Sequence, residues 1–386
     1  MIIAVDEVIP YGREAFSSLG EVRSFAGRKI SAADIREAEA LVVRSITQVN
    51  AKLLEGTRVR FVGSATIGTD HLDLEYLKSH GITWRNAAGS NANSVAEYVT
   101  AALLVLARKH AWNLQKKSIA IIGAGHVGRA LERKTQALGM SVSLCDPILR
   151  EETGDSRYQF LDDVLDADIL SIHVPLTSDG RYPTRHMIGR EVFDRLSTRQ
   201  FLINPARGSV IRESDLKKAL EEGKVGGAVL DVWEGEPSID YELLRAVAIA
   251  TPHIAGFSLD GKVRGTEMIL EALCHESGVK VPWDSRSVYP PEVTLRPAPG
   301  SLGQEALYSI VLQAYNVLKD DENLRALQTL SPEEAIAAFD RLRNKYPLRP
   351  EFHHYIVEIP QGEIALAGTL EGLGFGISFV TAGKDV

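Results

Sequence analysis

Short apolar runs recur along this chain, and the stretches between them carry the apolar spacing of amphipathic helices. The runs IIAV at 2–5, LVV at 41–43 and FVG at 61–63 predict buried strands of a small α/β unit. VAEYVTAALLVLA predicts a long helix from Val95 to Ala107, with Asn93 or Ser94 as its cap. A second unit begins at SIAIIG and continues through VSLCD, DILSIHV, QFLINPA, GGAVLDV and AIATPHI. Strands that are apolar at every position are buried on both faces, so these six predict a parallel, doubly wound sheet.

The texture changes around Pro282, where WDSRSVYPPEVTLRPAPG holds four of the 16 prolines and predicts an extended linker. A third domain follows, with helices over LGQEALYSIVLQAYNVLKDDENL and SPEEAIAAFDRLRNKY and strands at HHYIVEI and GFGISFV. The domains predicted are 1–92 with 256–280, then 93–255, then 281–386.

Composition narrows the functional classes. The chain has 386 residues, 45% hydrophobic and 24% charged, as in ordinary globular proteins. A net charge of -8 argues against a nucleic-acid partner, because phosphate-backbone affinity is built from clustered Lys and Arg. It leaves room for a local basic pocket that takes a small anion. Cys145 and Cys274 have neither disulfide nor metal-ligand spacing, and read as reduced thiols of a cytoplasmic protein without a metal. MIIAVDEVIP reads as a buried strand, not a signal peptide. The longest helical apolar stretch contains Glu97 and falls short of the ~20 residues that cross a bilayer, so no membrane partner is expected.

IAIIGAGHVGRALERKTQALGMSVSLCD places Gly123, Gly125 and Gly128 in GxGxxG spacing between a predicted strand and helix, with His126 and Val127 inside the loop. The first glycine permits a tight turn, the second admits a pyrophosphate, and the third lets helix and strand pack. Asp146 ends the next strand, where a carboxylate hydrogen-bonds ribose hydroxyls and repels a 2′-phosphate, which favours NAD over NADP.

Three later segments each start at the carboxyl end of a predicted strand: INPARGSVI with Arg207, VLDVWEGEP with Asp231 and Glu236, and ATPHIAGFS with His253. Ligands bind along that edge in open α/β sheets. Removing hydride from a hydroxyl-bearing carbon also requires a proton acceptor, which suits His253; Glu236 orients the imidazole and Arg207 holds a substrate carboxylate.

These segments resemble the D-isomer-specific 2-hydroxyacid dehydrogenases over residues 1–280. VRSITQVN, GSATIGTDHLD, NANSVAEYV, HIAGFSLDGKVRGT and FDRLRNKYPLR extend the resemblance to one branch of that family over nearly the whole chain. The resemblance implies an α/β fold with a Rossmann NAD domain, a flavodoxin-like substrate domain and a C-terminal α+β domain that forms a homodimer. It implies NAD-linked oxidation of a small phosphorylated 2-hydroxy acid, with Arg207, Glu236 and His253 catalytic. It also implies NAD contacts from Asp146, Val174, Asp231 and Gly256, and substrate contacts from Ser45 and Thr66. Phe257 departs from the family pattern, which has a substrate-contacting tyrosine there. A substrate phosphate needs further cations, and the candidates are Arg44, Arg60 and the tail cluster Arg341, Arg343, Lys345 and Arg349, with the third domain expected to bring at least one of them to the partner's active site. A relative that oxidises phosphoglycerate and an NAD-sensing binding protein are the competing readings.

Overall fold

A computed structural model describes residues 1–281 and 283–380; Pro282, inside the expected linker, and residues 381–386 of the expected third domain lie outside the described residues. The chain forms two compact units, residues 1–91 with 258–290, and residues 92–257 with 291–386.

In the first unit β1 (Ile2–Asp6), β2 (Glu21–Phe25), β3 (Ala40–Val43), β4 (Phe61–Ser64) and β5 (Thr83–Asn86) make a parallel sheet in the order β2-β1-β3-β4-β5. That is the flavodoxin-like order. The apolar runs are the three inner strands. The edge strands β2 and β5 are half exposed and polar, so they carry no apolar run. The helix Leu259–Ser277 lies close on the sheet because β4 offers Gly63, where a Cβ would sit 2.2 Å from Ile269 Cγ2.

The second unit is built on seven strands: β6 (Ser118–Ile122), β7 (Ser141–Cys145), β8 (Tyr158–Gln159), β9 (Ile169–Ile172), β10 (Phe201–Asn204), β11 (Gly227–Leu230) and β12 (Ile249–Ala250). Their order is β12-β11-β10-β9-β6-β7-β8, all parallel. The order reverses between β6 and β9, which opens a crevice at their carboxyl ends. The remaining strands, β13 (Val293–Leu295), β14 (Tyr355–Pro360) and β15 (Gly376–Val380), form a small parallel sheet in the same unit.

The long helix runs Ala92–Lys109 and is buried along nearly its whole length. It starts before the expected caps, so Asn93 and Ser94 lie inside its first turn and turn outward to the C-terminal segment. Ser94 Oγ donates to Glu351 Oε1 at 2.8 Å, and Asn93 Nδ2 donates to Glu351 Oε2 at 2.7 Å. One turn on, Glu97 is fully buried and accepts from Phe352 N at 2.8 Å and from Arg349 Nη1 at 2.5 Å. The Arg349 guanidinium also lies 4.1 Å from the Tyr315 ring centroid. Arg349 is thus a structural cation that neutralises Glu97, which removes it from the candidates for substrate phosphate. The helix expected over 302–324 is two, Gly303–Ala314 and Val317–Arg325, because the chain turns extended at Tyr315 and Asn316 caps the second.

Removing one member of a buried pair leaves the other charge uncompensated. Arg349→Ala is expected to lower the unfolding free energy by about 3–5 kcal/mol, read from urea denaturation, and a loss within error of zero would show that the pair carries no stability.

Candidate active site

The turn after β6 has the backbone that its glycines permit. Gly123 has φ of 98°, and a Cβ there would lie 2.5 Å from His173 O. A Cβ on Gly128 would lie 2.1 Å from Gly123 O. Over Gly125 there is open space to 4 Å, and Gly125 begins the helix His126–Ala137 with no side-chain cap. Uncapped N–H donors at a helix start facing open space suit a pyrophosphate. His126 is exposed in that first turn, whereas Val127 packs on the core. Asp146 stands half-buried after β7; its Oδ2 accepts from Ala124 N and its Oδ1 from Leu149 N, both at 3.0 Å, so the carboxylate is fixed beside the glycine loop. Val174 follows β9, with a methyl 3.0 Å from where a Gly123 Cβ would be. These residues fit the dinucleotide that the sequence pattern implies.

The sheet order places the loops after β10, β11 and β12 side by side, and short contacts lock them together. Gly208 abuts the next loop so closely that a Cβ would lie 2.1 Å from the Trp233 carbonyl carbon. Beside it, Arg207 is extended at φ of -144°, with Asn204 Nδ2 donating to its carbonyl at 3.0 Å. Trp233 is buried, and its indole donates to Thr251 O at 3.0 Å, tying the second loop to the third.

Glu236 and His253 meet across these loops: His253 Nδ1 and Glu236 Oε1 are 2.5 Å apart. The other carboxylate oxygen accepts from Trp233 N at 3.2 Å. Burial pushes the Glu236 carboxyl up, but the His253 hydrogen bond and charge, the Arg343 charge and the Trp233 N–H outweigh it, holding the carboxyl below its usual range. His253 itself has φ of 58°, a left-handed conformation rare outside glycine. His173, just after β9, differs in kind: burial pushes its imidazole down to about 3, and it bonds Ser171 Oγ at 2.8 Å. A histidine held neutral in that way is a poor proton carrier.

Asp231, expected to contact NAD, supports the His253 loop. It is 1% exposed; Thr251 Oγ1 and Ile254 N donate to its Oδ1 at 2.6 and 2.8 Å, and Ala255 N donates to its Oδ2 at 2.9 Å. Tyr98 OH joins the chain at 2.9 Å from Thr251 Oγ1. Sequence reasoning did not find Trp233, Thr251, Tyr98 or Gly208, and only Gly208, directly after Arg207, carried a signal. It also missed Glu213, whose Oε1 accepts from Glu234 N at 2.6 Å and whose carboxyl burial pushes up to about 7.

Gly256 closes the third loop, and Phe257 packs edge-on against Tyr346 with ring centroids 5.9 Å apart. Ser45 and Thr66 belong to the first unit. There Ser45 is exposed, and Thr66 Oγ1 bonds Ser64 Oγ at 2.8 Å, which in turn bonds His71 Nε2 at 2.9 Å.

Comparison with known proteins agrees with the geometry. Residues 87–255 match the family model for the NAD binding domain of D-isomer specific 2-hydroxyacid dehydrogenases, and residues 290–374 match a domain of unknown function. The chain is 41% identical over 381 residues to the erythronate-4-phosphate dehydrogenase of Hahella chejuensis, covering 98% of this chain and 100% of that one. It is 43% identical to the protein of the same name from Salinibacter ruber, covering 92% of this chain and 93% of that one. Among solved structures, the D-lactate dehydrogenase of Aquifex aeolicus, complexed with NAD and lactic acid, is similar with a TM-score of 0.59 at 25% identity, covering 72% of this chain and 96% of that one. The chain therefore belongs to the erythronate-4-phosphate dehydrogenase family, within the D-isomer specific 2-hydroxyacid dehydrogenases.

Proposed function

We propose that this protein oxidises 4-phospho-D-erythronate at its 2-hydroxyl, giving 2-oxo-3-hydroxy-4-phosphobutanoate on the route to pyridoxal 5'-phosphate. The observation that carries the reading is the Glu236 and His253 pair at 2.5 Å, set beside the Arg207 loop at the carboxyl edge of a dinucleotide-binding sheet. Family membership supports the choice of substrate.

The loop Gly123–Gly128 and Asp146 would hold NAD, which would supply the acceptor for the hydride leaving C2. Arg207 binds the substrate carboxylate through paired N–H donors, which fixes C2 in the site. Because Glu236 holds His253 at Nδ1, the ring's Nε2 is the atom that takes the hydroxyl proton. Glu236 then faces an imidazolium, and its charge stabilises the proton where it has arrived. Phe257 supplies an apolar wall, and Ser45 and Thr66 supply substrate hydroxyl contacts. Val174, Asp231 and Gly256 complete the cofactor side, Asp231 through the loop it holds. We further assign a homodimer made through the C-terminal residues, where exposed Leu302 and Ile364 offer apolar surface. Buried, unpaired Cys145 and Cys274 support a reducing cytoplasmic setting.

Purified protein supplied with NAD and a 2-oxo acid to reoxidise it is expected to turn over 4-phospho-D-erythronate in preference to 3-phospho-D-glycerate. His253→Ala is expected to reduce kcat by about 10²–10⁴-fold. Preference for phosphoglycerate would transfer the chain to the sister activity, and firm NAD binding without turnover would favour a sensor. A second measurement addresses Glu236. Carbonyl reduction draws its proton from His253, whose partner is lost in Glu236→Gln, so that variant is expected to lose about tenfold or more in kcat for reduction. An unchanged kcat would remove Glu236 from this role.

A further inference from the structure

The sequence offers six cations for the substrate phosphate, and the structure distinguishes them. Arg60 pairs with Glu39 at 2.9 Å, Arg44 lies 3.1 Å from the buried Asp6 carboxylate, and Arg349 is committed to Glu97. Arg341 and Lys345 are exposed. Arg343 is half-buried, and its Nε, like those of Arg44 and Arg349, is shut off from solvent with no hydrogen-bond partner among the described residues; unlike those two, Arg343 has no carboxylate paired with it among the described residues.

Its surroundings are those of the active site. Arg343 occupies the last turn of the helix Pro332–Asn344, whose Ala335, Ala338 and Phe339 join the apolar cluster that contains Val210, Leu230 and Trp233. That cluster underlies the loops that carry Arg207 and Glu236. Just beyond the helix, Tyr346 meets Phe257 in the loop that carries His253. The Arg343 charge reaches Glu236 and helps to hold its carboxyl down. The Glu236 oxygens bond His253 and Trp233 N, and Arg343 Nε has no hydrogen-bond partner among the described residues. A desolvated guanidinium N–H beside the proton-transfer pair, with no acceptor of its own, is a site for an anion that arrives with the substrate.

We infer that Arg343 binds the phosphate of the substrate and sets the preference for phosphorylated 2-hydroxy acids. This rests on the proposed function and deepens it. The two anionic ends of the substrate are then divided between two arginines, Arg207 for the carboxylate and Arg343 for the phosphate, with His253 at the carbon between them. The guanidinium fork matches phosphate oxygens in a way that an ammonium does not. The residue acts within its own chain, where a sequence reading assigned such cations to a partner.

Arg343→Met keeps the packing of the stem and removes the fork. In that variant kcat/KM for 4-phospho-D-erythronate is expected to fall on the order of 100-fold, at least about tenfold more than kcat/KM for unphosphorylated D-erythronate, which loses only the Arg343 charge beside Glu236. Arg343→Lys is expected to recover part of the loss. Equal losses on both substrates would overturn the inference, because Arg343 would then act through Glu236, and unchanged kinetics would overturn it directly. Binding of inorganic phosphate to the NAD-loaded protein, followed by phosphorus NMR, separates this inference from the proposed function. Phosphate binding that Arg343→Met abolishes, in a protein inactive on phosphoerythronate, would retain the anion site and refute the substrate. Phosphate binding that is absent or indifferent to the substitution would refute the anion site whatever the substrate. Thermal unfolding of each variant confirms that it is folded.

Discussion

His253 is held at φ of 58°, and the Asp231 carboxylate is what keeps it there. A non-glycine residue in that conformation carries strain of about 1–3 kcal/mol. Hydrogen bonds to a charged group are worth about 1.5–3 kcal/mol each, and Asp231 accepts two from the backbone just past His253 and one from Thr251. The two backbone hydrogen bonds fix the loop just past His253, so the imidazole is delivered at a fixed angle to Glu236. Because Asp231 ends β11 while His253 follows β12, the clamp also joins two adjacent strands.

The same economy of placement governs Arg207. Its loop lies against the Trp233 backbone at a distance that only Gly208 allows. Trp233 in turn reaches Thr251, and Thr251 reaches both Asp231 and Tyr98 of the long buried helix. Two loops that are far apart in sequence thus share one network of buried polar groups with the long helix, and the Arg207 loop packs against it. A displacement in any one loop is transmitted to the proton-transfer pair, since packed interiors with satisfied hydrogen bonds have few intermediate arrangements.

Much of this was legible in the chain. Apolar runs located the inner strands, since strands buried on both faces have no polar alternation to confuse the pattern. The edge strands β2, β5 and β13 were hidden for the converse reason: EVRSF and TWRN are half exposed, VTL buries only Leu295, and none of these short strands carries a continuous apolar run. The candidate site was legible wherever a motif named a residue and a strand end placed it, as with Arg207, Glu236 and His253. The supporting residues were not. Thr251 and Tyr98 act through contacts set by three-dimensional packing, and a threonine beside a proline or a tyrosine in an apolar helix has an ordinary explanation in sequence.

The tail shows most clearly what sequence alone leaves undecided. Arg343 and Arg349 stand close together in FDRLRNKYPLR and read as one basic cluster. What separates them is the partner that each meets. Arg349 reaches a fully buried carboxylate on the long helix, which would be costly to leave charged without a counterion, so pairing there is structural. Arg343, near the end of its helix, lies within electrostatic reach of Glu236, yet its Nε has no hydrogen-bond partner and its guanidinium no paired carboxylate among the described residues. Two neighbouring arginines of identical chemistry therefore divide into a cation that the fold needs and a cation that the fold leaves available, and only the second can answer to a substrate.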